Sequence, residues 1–203
     1  MAKQNNIFDI NAHDDVSAKI VVGLERISEA FRVLLWEHGK TSGLSPIQIQ
    51  ILIFVKYHSE NFCGVSYLAK EFNLTKPTVS DAVKSLVSKG YVKKETDTQD
   101  SRSHIIKLTS EGEKIVASVE NFAFPIKQKI DLLSIEDRLQ MLDSIVKVIY
   151  KLNQSGILTI QRTCYACKYY SSSGKDHYCN LMKSVLANSE IKIDCSEFKL
   201  KAS

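Results

Sequence analysis

The stretch from Val65 to Leu108 constrains this chain most. It reads as a short helix from Val65 to Phe72, a break at Asn73-Leu74, and a second helix opened by Thr75-Lys76-Pro77 that runs to Lys89 and stops at Gly90. Tyr91-Val92-Lys93-Lys94-Glu95 and Ile105-Ile106-Lys107-Leu108 then have strand composition, and the polar run from Thr96 to Ser103 between them has the composition of a hairpin tip. Two short helices joined by a tight turn and followed by a two-stranded ribbon leave few folds open. The order predicts helix, turn, helix and wing.

The flanks are helical. Val16, Ile20, Leu24, Ile27, Phe31 and Leu34 recur at steps of three or four, one stripe on a helix long enough to pack against more than its own core. Ser45 before Pro46 is an N-cap followed by proline at the first helical position, and the helix from Pro46 to Tyr57 is apolar on nearly all sides. Thr109 or Ser110, with Glu113 beyond, caps a further long helix with the stripe Ile115, Val119, Phe122, Ile126 and Ile130, kinked at Pro125. Ser134 caps the last, which carries Leu139, Leu142, Ile145 or Val146, Ile149 and Leu152 on one side and ends near Gly156. The fold class expected is mainly α: a winged helix-turn-helix with long dimerisation helices and a two-stranded β wing, plus a small Cys-rich C-terminal module. Its divisions are an N-terminal extension over 1–13, the winged helix with its long helices over 14–155 (DNA-binding core about 45–108), and the module over 156–203.

Composition removes other classes. Hydrophobic residues at 44% and only 8 Gly and 3 Pro exclude wholesale disorder. The start, MAKQNNIFDINAHDD, has neither the basic head nor the apolar run of a secretory signal, and Gln48, Gln50 and Lys56 interrupt the most apolar stretch, Ile47 to Tyr57. A cytoplasmic chain without a membrane partner is expected. No phosphate-binding glycine loop, HExxH or nucleophile motif occurs, so the chain reads as no enzyme. The 27 Lys plus Arg against 23 Asp plus Glu tolerate a nucleic-acid partner without demanding one.

A helix that enters the major groove needs short polar and basic side chains on its exposed face. With Leu74, Val79, Ala82, Val83, Leu86 and Val87 inward, the second helix of the motif presents Lys76, Pro77, Thr78, Ser80, Asp81 and Lys84. Lys89, Lys93 and Lys94 extend the strip. An ordinary solvated helix face would look similar, and the tip of the wing shifts the balance. Arg102 stands where a hairpin could enter the minor groove, whose negative potential attracts it, and Asp100 is placed to hold the guanidinium.

Leu44-Ser45-Pro46, Leu68-Ala69, Thr78-Val79-Ser80, Leu86, Lys89-Gly90-Tyr91-Val92, Asp100-Ser101-Arg102, Lys107-Leu108-Thr109 and Gly112, in this order, make the chain resemble the MarR family of winged helix-turn-helix regulators over about Asp14 to Asn153. The resemblance implies a homodimer on double-stranded DNA with a pseudo-palindromic operator, repressor action, and a small-molecule effector pocket with Phe31, Leu35, Trp36, His38 and Tyr57 as candidate lining. Core aromatics and a surface histidine are the simpler reading of those five. Asp81 departs from the basic residue many relatives carry there; it either reads a cytosine amino group or repels phosphate.

The tail departs as well. Cys164-x2-Cys167-x11-Cys179-x15-Cys195 is a pair plus two separated single cysteines, and in a reducing compartment such thiolates point to one metal centre. Tyr165, Tyr169, Tyr170, Tyr178 and Leu181 supply a shell. Zinc is the first expectation and a 4Fe-4S iron-sulfur cluster the alternative: this pair, Cys164-Tyr165-Ala166-Cys167, lacks the flanking glycine or proline of zinc ribbons, and the spacing is similar to that of high-potential iron-sulfur modules. A thiol-disulfide switch is the third reading. The centre is either structural or sensory. A redox or electron-transfer protein that uses the winged helix for docking is the alternative function. Cys63 stands apart and reads as buried and inert.

Overall fold

A computed structural model describes residues 7–8, 15–96, 104–174 and 176–201. Most of the 1–13 extension and the wing tip, with Asp100 and Arg102, therefore lie outside the described residues.

The helices begin where the caps stand. Asp15 accepts from the Ser17 amide at 2.8 Å and opens α1 (Val16–Ser42). Ser45 and Gln48 form a reciprocal capping box at α2 (Pro46–Tyr57). Thr109 caps α5 (Ser110–Val119) through the Gly112 amide at 3.0 Å, and Ser134 caps α7 (Ile135–Gln154). Between α2 and α5 lie α3 (Val65–Glu71), α4 (Lys76–Ser88) and the antiparallel pair β1 (Val92–Thr96) and β2 (His104–Leu108), in register from Val92 opposite Leu108 to Thr96 opposite His104.

The core gathers around α2. Its Ile49, Ile51 and Leu52 are fully buried among Leu68, Val79, Val83, Leu86, Ile106 and Val116, each contributing about 2 kcal/mol by removal from water. Lys56 and the Tyr57 hydroxyl both donate to Glu120, at 2.6 and 2.7 Å, and tie the end of α2 to the end of α5. Gly64 bridges to Ile105, and the Ile106 amide donates to the Cys63 carbonyl at 2.9 Å, so the α2–α3 connection adds an edge to the wing sheet. Cys63 is 1% exposed and its thiol donates to the Ser59 carbonyl at 3.5 Å. Burial, with Glu60 adding to it, pushes that thiol up to about 11.

The structure corrects two sequence expectations. Pro125 does not kink one long helix. It stands in the first turn of a separate α6 (Phe124–Ile130), where its missing N–H costs nothing, while α5 has already stopped at Val119. On α4, Val79, Ala82, Val83 and Leu86 face inward as expected, but Val87 is exposed, because only one stripe of so short a helix can meet α2 and β1, and Leu74, in the turn before the helix, is exposed as well.

Gly112 marks the closest backbone approach. A Cβ there would lie 1.9 Å from the Tyr91 carbonyl oxygen. Gly112→Ala is expected to destabilise the domain by about 3 kcal/mol, read from the denaturation midpoint. An unchanged midpoint would mean that β1 and α5 can separate without cost.

Beyond Gly156 the chain forms a three-stranded antiparallel sheet of β3 (Tyr170–Ser173), β4 (Asp176–Cys179) and β5 (Ser184–Leu186), in the order β3-β4-β5. It sits on α7, where Val146 is buried with Leu186 and Ile191 in a second small core, and Tyr165 donates to Asp143 at 3.0 Å. No helix among the described residues is long and apolar enough to cross a membrane.

Candidate functional site

The α3–α4 unit turns through Asn73, whose φ of 54° is left-handed, a conformation asparagine tolerates better than most residues. Thr75 then caps α4: its hydroxyl accepts from the Thr78 amide at 3.3 Å and lies 2.8 Å from the Thr78 hydroxyl. Anchored on Val79 and Val83 beneath, the first turns present Lys76, Pro77, Thr78, Asp81 and Lys84 to solvent, with Ser80 half-buried.

The charges on this face are partly spoken for. Lys84 pairs with Asp81 at 3.0 Å, a contact between two exposed groups that contributes little to stability but offsets the lysine's charge. Lys93 pairs with Glu95 at 2.8 Å, and Lys89 donates to the Gly43 carbonyl at the end of α1. Lys94 is exposed beside them.

The candidate effector residues Phe31, Leu35, Trp36 and His38 share α1, and Tyr57 ends α2. Leu35 is in the core, Phe31 meets Phe122 edge to face at 6.4 Å, Trp36 is exposed, and Tyr57 serves Glu120.

In the tail, Cys164, Cys167, Cys179 and Cys195 line one cavity with Tyr169, Tyr170, Leu181, Met182 and Leu186. The cavity leaves about 50 Å³ for the centre of a water-sized sphere. Among the described residues no three His, Cys, Asp or Glu side chains converge closely enough to share a single metal ion. The Lys192 amide donates to the Cys164 sulfur at 3.3 Å. Burial pushes the Cys164 thiol up and its three cysteine neighbours add to that, while the Lys192 amide opposes it. His177 lies 2.5 Å from the Tyr170 hydroxyl, through its Nδ1, and stacks on that ring.

Sequence reasoning missed the group that joins tail and winged helix. Arg162 is only 6% exposed, and its guanidinium donates to Asp194 at 2.5 and 2.7 Å, to Glu71 of α3 at 2.7 and 3.1 Å, and to the Tyr67 hydroxyl at 2.7 Å. It lies over the Phe54 and Phe62 rings, and His58 at the end of α2 meets the same Asp194 at 2.8 Å. Burial by itself would lower the guanidinium's pKa; Asp194 and Glu71 outweigh it and hold the charge firmly in place. The only signal in the sequence was an arginine just ahead of the cysteine pair. Its partners lie far away along the chain.

A short helix, a tight turn, an exposed second helix and a two-stranded sheet define a winged helix-turn-helix. Residues 42–103 match the model of the MarR family. The chain is 26% identical over 137 residues to YdgJ, an uncharacterized HTH-type transcriptional regulator of Bacillus subtilis (strain 168), a match covering 67% of this chain and 80% of the relative. It is 27% identical over 122 residues to the HTH-type transcriptional repressor YetL of the same organism, covering 54% and 73%. Among solved structures, MepR of S. aureus in its DNA complex superposes with a TM-score of 0.58 at 24% identity, over 65% of this chain and 97% of that one. A MarR transcriptional regulator from Methanosarcina mazei Go1 gives 0.57 at 18% identity, over 67% and 96%. The mainly helical winged-helix fold with its two-stranded sheet is thus the fold of these MarR-type structures.

Proposed function

We propose that the chain is a MarR-family transcription regulator that binds duplex DNA as a homodimer and represses. The observation that carries this reading is the exposed N-terminal half of α4, held rigidly over the core beside the wing. In this reading Lys76, Pro77, Thr78, Ser80, Asp81 and Lys84 meet the major groove, and Arg102 and Asp100, outside the described residues, are the pair that the sequence assigns to the minor groove. The similarity to MepR, solved on DNA, and to the repressor YetL supports it. Two copies are needed for a pseudo-palindromic site, and the stripe on α1 supplies a surface for the second: Val16, Ile20, Leu24 and Phe31 are 66%, 56%, 42% and 38% exposed. The C-terminal cysteines form its metal-holding module.

Duplex titrations at increasing salt test the reading. Affinity should fall steeply with salt, and Lys76→Ala should reduce the slope by about 1 as one phosphate contact is lost. Arg102→Ala should cost ~1 to 3 kcal/mol of operator affinity. Asp81→Ala separates the two roles open to Asp81: freeing Lys84 raises affinity for any duplex, whereas loss of a base contact lowers affinity for the operator alone. A chain that binds no duplex, or binds with no salt dependence, overturns the proposal.

A further inference from the structure

The four tail cysteines come from three separate stretches: the turn at Cys164–Ala166 with Cys167 behind it, the end of β4, and the segment after Asp194. Zinc bound by four thiolates sits about 2.3 Å from each sulfur, which brings the sulfurs within ~3.8 Å of one another, in contact, with no hollow between them. Here all four cysteines line one cavity, and no three of them converge closely enough to share a single ion. The cavity's 50 Å³ for sphere centres exceeds several-fold the roughly 10–15 Å³ that one water needs. A cube of irons and sulfides stands between its thiolates and requires such room. Leu186, 5% exposed, gives the lining an apolar patch, Glu190, Lys192 and Glu197 add polar groups, and the Lys192 amide already donates to one sulfur, the kind of bond that stabilises cluster-bound thiolates.

We propose that this cavity holds a four-iron, four-sulfide cluster, ligated by Cys164, Cys167, Cys179 and Cys195 as thiolates whose protons pass to solvent. The full chain, purified without oxygen and reconstituted with ferric and ferrous iron and sulfide, should carry about four irons and four sulfides per chain and absorb broadly in the visible. Cys179→Ser should lose them, while Cys63→Ser retains them. Because a ligand variant could unfold, the wild-type chain is also offered zinc in competition. One zinc per chain that iron and sulfide do not displace overturns the proposal, as does a folded wild-type chain that takes up neither.

The Arg162 bridge carries a second inference, which rests on the DNA-binding reading. Asp194 precedes the ligand Cys195, and Arg162 clamps that carboxylate to Glu71 and Tyr67 on α3, the helix that supports α4. We infer that filling the four-cysteine cavity sets operator affinity through this clamp. Operator affinity of loaded and cluster-free wild-type chain should differ at least about fivefold, and in Arg162→Met or Glu71→Gln the difference should vanish. Equal wild-type affinities sink the coupling and leave the DNA-binding reading intact. A chain that binds duplex in neither state sinks that reading instead.

Discussion

Ile20→Asp combined with Leu24→Asp should turn the proposed homodimer into monomers and weaken operator binding by at least about 100-fold. Both side chains project from the exposed stripe of α1 and neither belongs to the core, so the variant chain keeps its own fold. In a twofold interface each substitution counts twice. It removes about 2 kcal/mol of apolar burial per side chain and asks an unpaired carboxylate to enter the interface. The loss on DNA is larger than the contacts alone would suggest, because a single copy forfeits the effective concentration that joins two half-sites, ~10²- to 10⁴-fold. Light scattering and duplex titration of the same sample measure both effects. A variant that remains dimeric would move the interface away from α1.

Arg162→Met should cost about 3 kcal/mol of folding stability, the lower end of the range for breaking a buried ion pair, since Asp194 keeps some contact with water. Methionine keeps the packing over Phe54 and Phe62, which leaves the loss to the charge. Glu71 would then be left half-buried against Tyr67 with no cation beside it. Chemical denaturation measures the cost. A loss below about 1 kcal/mol would show that the clamp holds position without adding stability.

What could be read from the residues divides along physical lines. Caps, proline positions and apolar periodicity are local, and Ser45-Pro46, Thr75, Thr109 and Ser134 each open a helix where their chemistry demands one. The exposed face of α4 follows from the same periodicity, as does the unsatisfied stripe of α1. Three features were beyond local reading. Whether Pro125 bends a helix or starts one depends on where α5 stops, and α5 stops where Glu120 meets Lys56 and Tyr57 on another helix. The contribution of Cys63 and Gly64 to the wing sheet is a pairing with β2, far along the chain. The Arg162 clamp is a meeting of charges from three distant segments, and charge pairing leaves no periodic trace. Cysteine spacing raised the expectation of a metal-binding tail, but that the four cysteines line one cavity, and what else lines it, depends on pairings between distant segments.

Cys63 gives this molecule its own clock. Burial pushes its thiol up to about 11, so little of it is ionised at pH 7, and the residue, 1% exposed, is sealed in the seam where the α2–α3 connection meets β2. It can be alkylated only when that seam parts, and once parted its acidity returns to the ordinary range. Residue-resolved alkylation of the native protein would therefore time the breathing of the winged helix, separately from whatever happens in the tail. DNA added to the same reaction would slow that clock to the degree that binding steadies the seam.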